Sequence, residues 1–347
     1  MYKERQNILI VGTLASGSSA LVDMLREYDN VNVLPREFDN FRRPGLVYDQ
    51  LSSDSSIDYP NVIDKEIKFD NLKWKLVYKS SLWKLFSKSY FKNIWEKDWG
   101  KLKKYKNSLI RLYQIFFLKE LNKSLKSGIP YDEKIRLSNE WISRIGNIYP
   151  SKYEFTLFNQ ALFPWLDIDI WKKVFKPFKL ICVHRDPKDQ LAEMIRREII
   201  FSPFRSAQLS YGQFNLISIY GNDRKGRIKF LTEALRKRLE KIDQWLKILG
   251  PDQILLIDFE GLVNNYDIYK SEMEQFLGIG DESHKFKKMY FNPEVALENS
   301  LGIFKNYLTD EEIKDISDLE DWYINKVRTR DNEYKGKTKN LKPEAFQ

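Results

Sequence analysis

The chain has 347 residues, 42% of them apolar, enough for one large α/β domain or two smaller ones with a sizeable core. Its 58 basic and 49 acidic side chains leave a formal net charge of +9, which favours anionic ligands without by itself implying nucleic acid. One cysteine, Cys182, excludes an intrachain disulfide, and the two histidines, His184 and His284, stand alone without metal-ligand spacing. The charged opening MYKERQ argues against a signal peptide, and no apolar run approaches the ~20 residues that span a bilayer, so a cytoplasmic protein is expected.

Asn7 to Leu25 reads as a short apolar strand (Ile8, Leu9, Ile10, Val11), a turn bracketed by Gly12 and Gly17, and an amphipathic helix. The backbone amides of such a turn can point inward and the helix adds its positive end, an arrangement suited to a phosphate or sulfate. A nucleotide-triphosphate loop carries Lys-Ser or Lys-Thr after the second glycine; here Ser18 and Ser19 follow it. A purely structural strand–helix turn is the alternative at this point.

Val31 to Leu34 form a second strand that ends at Pro35-Arg36-Glu37-Phe38-Asp39. Ser52 to Asp58 is polar and reads as a surface loop. Residues 84–147 lack strand alternation and read as a helical insertion, whose lysines and aromatics suit a solvated helical face better than a nucleic-acid surface. Glu154 to Phe158 is a third strand. Lys179 to His184 is a fourth, with Cys182 as a buried thiol, and it runs into Arg185-Asp186-Pro187, where Pro187 suits the first turn of a helix. From Phe230 to Leu249, Leu231, Leu235, Leu239, Ile242, Leu246 and Leu249 recur at helical spacing until Gly250-Pro251 stops the pattern. Ile254 to Ile257 is a further strand, and Thr309 with Glu312 forms a capping box for a last helix. Beyond Thr329 the chain is polar and basic.

Strands alternating with helices predict an α/β fold with a mostly parallel sheet flanked by helices: one domain over residues 1–330, then a polar tail over 331–347. Two strand ends matter together. The Gly12–Ser19 turn can grip one phosphate group, and Arg185, delivered to the carboxyl edge of the sheet, can grip another. An adenine nucleotide with phosphates on both its 3′ and 5′ positions matches that division.

Four segments, in order, resemble the sulfotransferases that use 3′-phosphoadenosine 5′-phosphosulfate (PAPS). Leu14-Ala15-Ser16-Gly17-Ser18-Ser19 is similar to the family's 5′-phosphosulfate loop, commonly Pro-Lys-Ser-Gly-Thr-Thr. Arg185-Asp186-Pro187 resembles its 3′-phosphate motif. Ile254 to Leu277 is similar to the strand, Tyr/Phe-Glu-Asp-Leu and helix of the family, and Asn299 to Leu308 resembles its late Gly-x-Trp-Lys segment near the nucleotide. The resemblance runs over roughly residues 6–327 and is weakest in the helical insertion. It implies a P-loop-like sulfotransferase fold, PAPS as co-substrate and no metal. It further implies that Ala15, Ser16, Gly17, Ser18, Ser19, Arg185, Glu193, Asn299, Ser300 and Lys305 surround the nucleotide.

Glu37 falls where the carbohydrate sulfotransferases carry the Glu of a Lys-Glu pair as general base, with Arg36 in place of the Lys; the plainer reading is a loop carboxylate paired with Arg42 or Arg43. Two positions depart from the family. Ala15 stands where the loop cation belongs, with Arg36 and Lys79 as substitutes, and Glu193 stands where a Ser would meet the 3′-phosphate, with Arg196 and Arg197 placed to offset it. His184 is the second candidate base. The expected reaction is sulfuryl transfer to a hydroxyl of a carbohydrate or glycan. Alternatives are a lipid or sterol hydroxyl, a P-loop kinase-like enzyme, or an inactive nucleotide-binding homologue.

Overall fold

The structure, a computed structural model, describes residues 5–12, 15–38, 47–51, 121, 123–125, 127–147, 153–161, 167–197 and 223–328. Lys79, the Ser52–Asp58 stretch, most of the 84–147 insertion and the tail beyond Arg328 lie outside them. Five strands form one sheet: β1 (Gln6–Gly12), β2 (Val31–Glu37), β3 (Phe155–Asn159), β4 (Phe178–His184) and β5 (Ile254–Asp258), in the order β2-β3-β1-β4-β5. β1 runs parallel to β4, Asn7 opposite Phe178 through Gly12 opposite Val183, and β4 runs parallel to β5, Leu180 opposite Ile254 through His184 opposite Asp258. Ile8 to Val11, Leu180 to Val183 and Ile254 to Ile257 are all buried, as continuous apolar runs must be in a sheet covered on both faces.

The strand order carries a functional consequence. From β1 the chain crosses to the β2 edge, whereas from β4 it continues to β5 at the other edge. The carboxyl ends of β1 and β4 therefore flank the point where the winding reverses, the place where open α/β sheets leave a crevice for ligands.

The chain divides into two compact units, one of residues 1–6, 34–156 and 167–177, the other of residues 7–33, 157–166 and 178–347. Within the first, α3 (Tyr131–Gly146) packs on α2 (Val47–Leu51) and α4 (Ile168–Val174). Buried Trp141 of α3 meets Phe38 with ring centroids 5.5 Å apart, and Asn139 Nδ2 donates to the Val174 carbonyl at 2.9 Å, satisfying a helix end. α3 makes up most of the described part of the helical region expected over residues 84–147, and Leu121 and residues 123–125 are also helical.

In the second unit, α1 (Ser18–Leu25) follows β1, and α5 (Pro187–Arg196) follows β4 with Pro187 in its first turn and Asp186 as cap, accepting from the Lys188 amide at 2.8 Å. The long helix α6 (Arg224–Ile248) begins six residues before the leucine pattern because Asp223 caps it, accepting from the Gly226 amide at 2.8 Å. Phe259–Asn264 (α7) and Tyr266–Leu277 (α8) follow β5, then α9 (Pro293–Ser300), the short α10 (Phe304–Tyr307) and α11 (Asp310–Tyr323). Thr309 and Glu312 close the expected capping box on α11. Leu191 and Met194 of α5, Leu235 and Leu239 of α6, and Ile316, Leu319 and Tyr323 of α11 share one buried cluster. Each such side chain contributes roughly 1.5–3 kcal/mol by leaving water. That cluster fixes α5, and with it Arg185, against the sheet edge.

Candidate functional site

Gly12 closes β1 and Gly17 caps α1 in the left-handed region, φ 88°. Neither position has room for a side chain. A Cβ on Gly12 would lie 2.1 Å from Ser16 Oγ, and one on Gly17 would lie 2.1 Å from the Phe259 ring. Ala15 also takes a positive φ, 55°, a conformation uncommon for a residue with a Cβ. Ser16 is 1% exposed and its Oγ has no hydrogen-bond partner. Ser18 is buried, and Ser19 is exposed on the outer side of the helix. Ser18 Oγ accepts a hydrogen bond from Gln160 Nε2 at 2.7 Å, which leaves its own proton free to be donated. Gln160, just past β3, holds a φ of 51° and anchors its amide to the Ile10 carbonyl at 2.8 Å. The loop thus presents two inward hydroxyls and the first amides of a helix, the chemistry of an anion cradle.

Arg185 lies beside this cradle, 3% exposed. Nη1 donates to the Ala15 carbonyl at 3.0 Å, and Nη2 donates to the Ser300 carbonyl. The guanidinium stacks over the Phe259 ring, 5.0 Å from its centroid, with Nε 3.9 Å from Glu260 Oε1. Nε makes no hydrogen bond, so a guanidinium with five N–H groups keeps donors in reserve. Burial lowers the Arg185 pKa, opposed by the nearby carboxylates of Glu260 and Asp189, and it remains a cation at neutral pH. Phe259 therefore has two contacts that define the site: the bare backbone of Gly17 and the flat face of Arg185.

The late segment is held to α5 by a residue the sequence reading did not single out. Asp189, buried, accepts from the Gly302 amide at 2.8 Å and the Phe304 amide at 3.1 Å. That brings Ser300 to Arg185. Asn299 is exposed, its Nδ2 donating to the Val295 carbonyl at 2.8 Å, and Lys305 is exposed on α10. Glu193, 2% exposed, is paired with Arg196 at 2.7 Å and with Arg197. Burial pushes its carboxyl up, but the two guanidinium groups outweigh that and the net shift is down. A charge that would repel a phosphate is neutralised within its own helix face.

At the end of β5, Asp258 and Glu260 form a carboxylate pair. Burial, then the hydrogen bond and charge of Asp258, push the Glu260 carboxyl up to about 9. Glu260 accepts from the Asp186 amide at 3.1 Å, and Arg328 reaches both carboxylates at 3.5 Å. His184, held above as a second base, is fully buried with Nδ1 2.8 Å from Tyr323 Oη. It lies at the carboxyl end of β4, next to Arg185 and against Tyr323 of α11.

Glu37 is the last residue of β2 and is exposed; Arg36 lies in the same strand, and Lys79 falls outside the described residues. The sequence reading missed Gln160, Asp189, Phe259 and Arg328. Phe259 was within sight, since it follows the β5 strand in the Phe-Glu-x-Leu motif. Gln160 and Asp189 work through backbone groups far away in sequence, which leaves no local pattern.

No family model matches the chain, and no curated protein matches it. Solved structures do. The sulfotransferase domain from the curacin biosynthetic pathway is 12% identical over 91% of this chain and 97% of that one, with a TM-score of 0.44. The sulfotransferase domain from the Synechococcus PCC 7002 olefin synthase is 13% identical, covering 90% of this chain and 86% of that one, with a TM-score of 0.39. Sulfotransferase STF9 from Mycobacterium avium is 10% identical, covering 93% of this chain and 77% of that one, with a TM-score of 0.44. All three are sulfotransferases, at identities and TM-scores too low to assign this chain's chemistry.

Proposed function

We propose that the chain transfers a sulfuryl group from PAPS to an acceptor hydroxyl, with a carbohydrate hydroxyl as the favoured acceptor. The observation that carries this reading is the buried, unpartnered Ser16 hydroxyl inside a loop too tight for a Cβ at either glycine, with the Arg185 cation bonded to the same loop through the Ala15 carbonyl. A cradle and a cation on adjoining strand ends suit a ligand with two separated anionic groups. Those residues fit the nucleotide: Ser16, Ser18 and the first amides of α1 would hold its 5′ end, and the spare Arg185 donors its 3′-phosphate. PAPS supplies an activated sulfuryl group on a good leaving phosphate.

The protein's task is then positional and electrostatic. The loop hydroxyls stabilise charge on the oxygens around the transferring sulfur, and Glu37 accepts the acceptor's proton as attack proceeds. Ala15 supplies no cation to the loop, so Arg36 is assigned that role. The Arg36-Glu37 pair is also what favours a sugar over a lipid or sterol acceptor. The kinase-like reading is weakened by the missing loop lysine and by Asp258, which caps α7 through the Gly261 amide at 3.2 Å and faces Arg328.

Calorimetry on Arg185→Ala tests the proposal. Affinity for 3′,5′-adenosine bisphosphate should fall by a few kcal/mol, the scale of one buried charge-assisted pair, while adenosine 5′-phosphosulfate loses far less. Equal losses for the two would refute the assignment, and tighter binding of ATP than of the bisphosphate would favour the kinase reading.

A further inference from the structure

A second cluster lies at the other end of α1. Helix α8 carries Lys270 and Glu274 one turn apart, and the single-turn helix Asp281–Ser283 that follows leads directly into His284. One donor atom each from Glu274, Asp281 and His284 fall within 4.8 Å of one another. His284 is 3% exposed, and its two ring nitrogens differ. Nε2 lies 2.7 Å from Glu27 Oε2, a fully buried carboxylate that also accepts the amides of Lys288, Tyr290 and Phe291. A carboxylate so placed is an acceptor, so it fixes the tautomer with the proton on Nε2 and leaves a lone pair on Nδ1. That Nδ1 has no hydrogen-bond partner, and the nearest acidic oxygen, Asp281 Oδ1, is 4.0 Å away.

Tyr28 orients two of the three groups. Its ring stacks on the imidazole with centroids 4.5 Å apart, and its hydroxyl donates to Glu274 Oε1 at 2.9 Å. The Asp29 amide ties the turn down through the Ser283 carbonyl at 2.9 Å. A buried imidazole nitrogen oriented by a carboxylate and aimed at two acidic side chains is the arrangement of a histidine metal ligand.

We propose that Glu274, Asp281 and His284 Nδ1 bind a zinc ion, with Lys270 as the cation that holds the carboxylates when zinc is absent. Lys270 Nζ lies 2.7 Å from both Glu274 Oε1 and Asp281 Oδ1, and Lys287 lies 3.1 Å from Asp281 Oδ2. Tetrahedral zinc with bonds of about 2.0–2.2 Å holds its donors about 3.4 Å apart, so the three side chains must draw together by roughly an ångström, within reach of the exposed Asp281 side chain and of rotation at Glu274 once Lys270 leaves. The Lys270 stem is long enough to turn its ammonium to water. One imidazole and two carboxylates suit zinc, whereas calcium and magnesium prefer oxygen alone. The bound ion would join the end of α1, through Tyr28 and Glu27, to the end of α8.

Zinc chloride titrated by calorimetry into the chelator-stripped full chain tests this, with cobalt absorption as a second readout. One equivalent should bind to the wild type. Asp281→Asn, at an exposed position, should weaken binding at least tenfold with the fold unchanged by circular dichroism, and Lys270→Ala should tighten it about tenfold. His284→Ala should abolish the cobalt spectrum, which the chain's other histidine, buried at 184, is not placed to supply. Zinc binding unchanged in Asp281→Asn would overturn the proposal. So would binding confined to Lys270→Ala, which would make the lysine the permanent occupant.

Discussion

Gln160 Nε2 donates to Ser18 Oγ at 2.7 Å, linking the residue after β3 to the first residue of α1 behind the anion loop. The bond fills one of the hydroxyl's two acceptor lone pairs and leaves its proton to be donated to another group. Gln160→Asn keeps an amide and tolerates the positive φ, but is one methylene too short to reach. Affinity for 3′,5′-adenosine bisphosphate should drop about fivefold to tenfold, on the order of 1 kcal/mol for one hydrogen bond, with the melting temperature little changed. Unaltered affinity in calorimetry would show that Ser18 does not face the ligand.

Gly17→Ala should be severely destabilising, for two separable reasons. The new Cβ would sit 2.1 Å from the Phe259 ring, and alanine would be held at φ 88°. Combining it with Phe259→Ala removes the clash but not the backbone strain of about 1 kcal/mol or more. Thermal unfolding of the double variant should therefore show non-additive, partial rescue. Strict additivity would mean that the ring and the glycine do not meet.

The two strand-end motifs were legible in the sequence because each is local. Gly12 to Ser19 and Arg185-Asp186-Pro187 announce a turn and a cap within a few residues, and the apolar runs beside them fall in β1 and β4. β2 runs on to Glu37, past the Val31–Leu34 run, because backbone pairing continues after the apolar pattern stops. The sheet order, the Asp189 contacts to Gly302 and Phe304, and the Arg328 contacts to Asp258 and Glu260 join residues far apart in the chain. No spacing rule reports such pairs. His284 was set aside for the same reason, since its partners Glu27 and Tyr28 lie at the opposite end of the second unit's sequence.

The carboxylate pair at the end of β5 makes stability pH-dependent in a stated direction. Glu260 is raised from 4.5 to about 9 by burial and by Asp258. Between those values the folded protein binds a proton that the unfolded chain has released, so this group's contribution is present at low pH and lost as pH rises. Glu260→Gln keeps an acceptor for the Asp186 amide and removes the titration. Melting temperature measured from pH 5 to pH 9 should fall less steeply in the variant than in the wild type. Parallel curves would show that Glu260 is ionised in the fold.

Glu37→Gln isolates the proton-transfer step of the proposed reaction. The residue closes β2 and is exposed, so the substitution should leave folding and affinity for 3′,5′-adenosine bisphosphate unchanged. It keeps the shape of the side chain and removes its basicity. Turnover with PAPS and a saccharide acceptor should fall by ~10²–10⁴, the usual cost of losing a general base. If Arg36 acts as the missing loop cation, Arg36→Ala should lower kcat as well, and the double variant should lose much less than the product of the two effects, since both serve one transition state. Near-normal turnover in Glu37→Gln would remove the base from β2. His184, which adjoins Arg185 at the carboxyl end of β4, would then be the next base to test. The preference for a sugar, which rests on the Arg36-Glu37 pair, would then pass to the lipid or sterol reading.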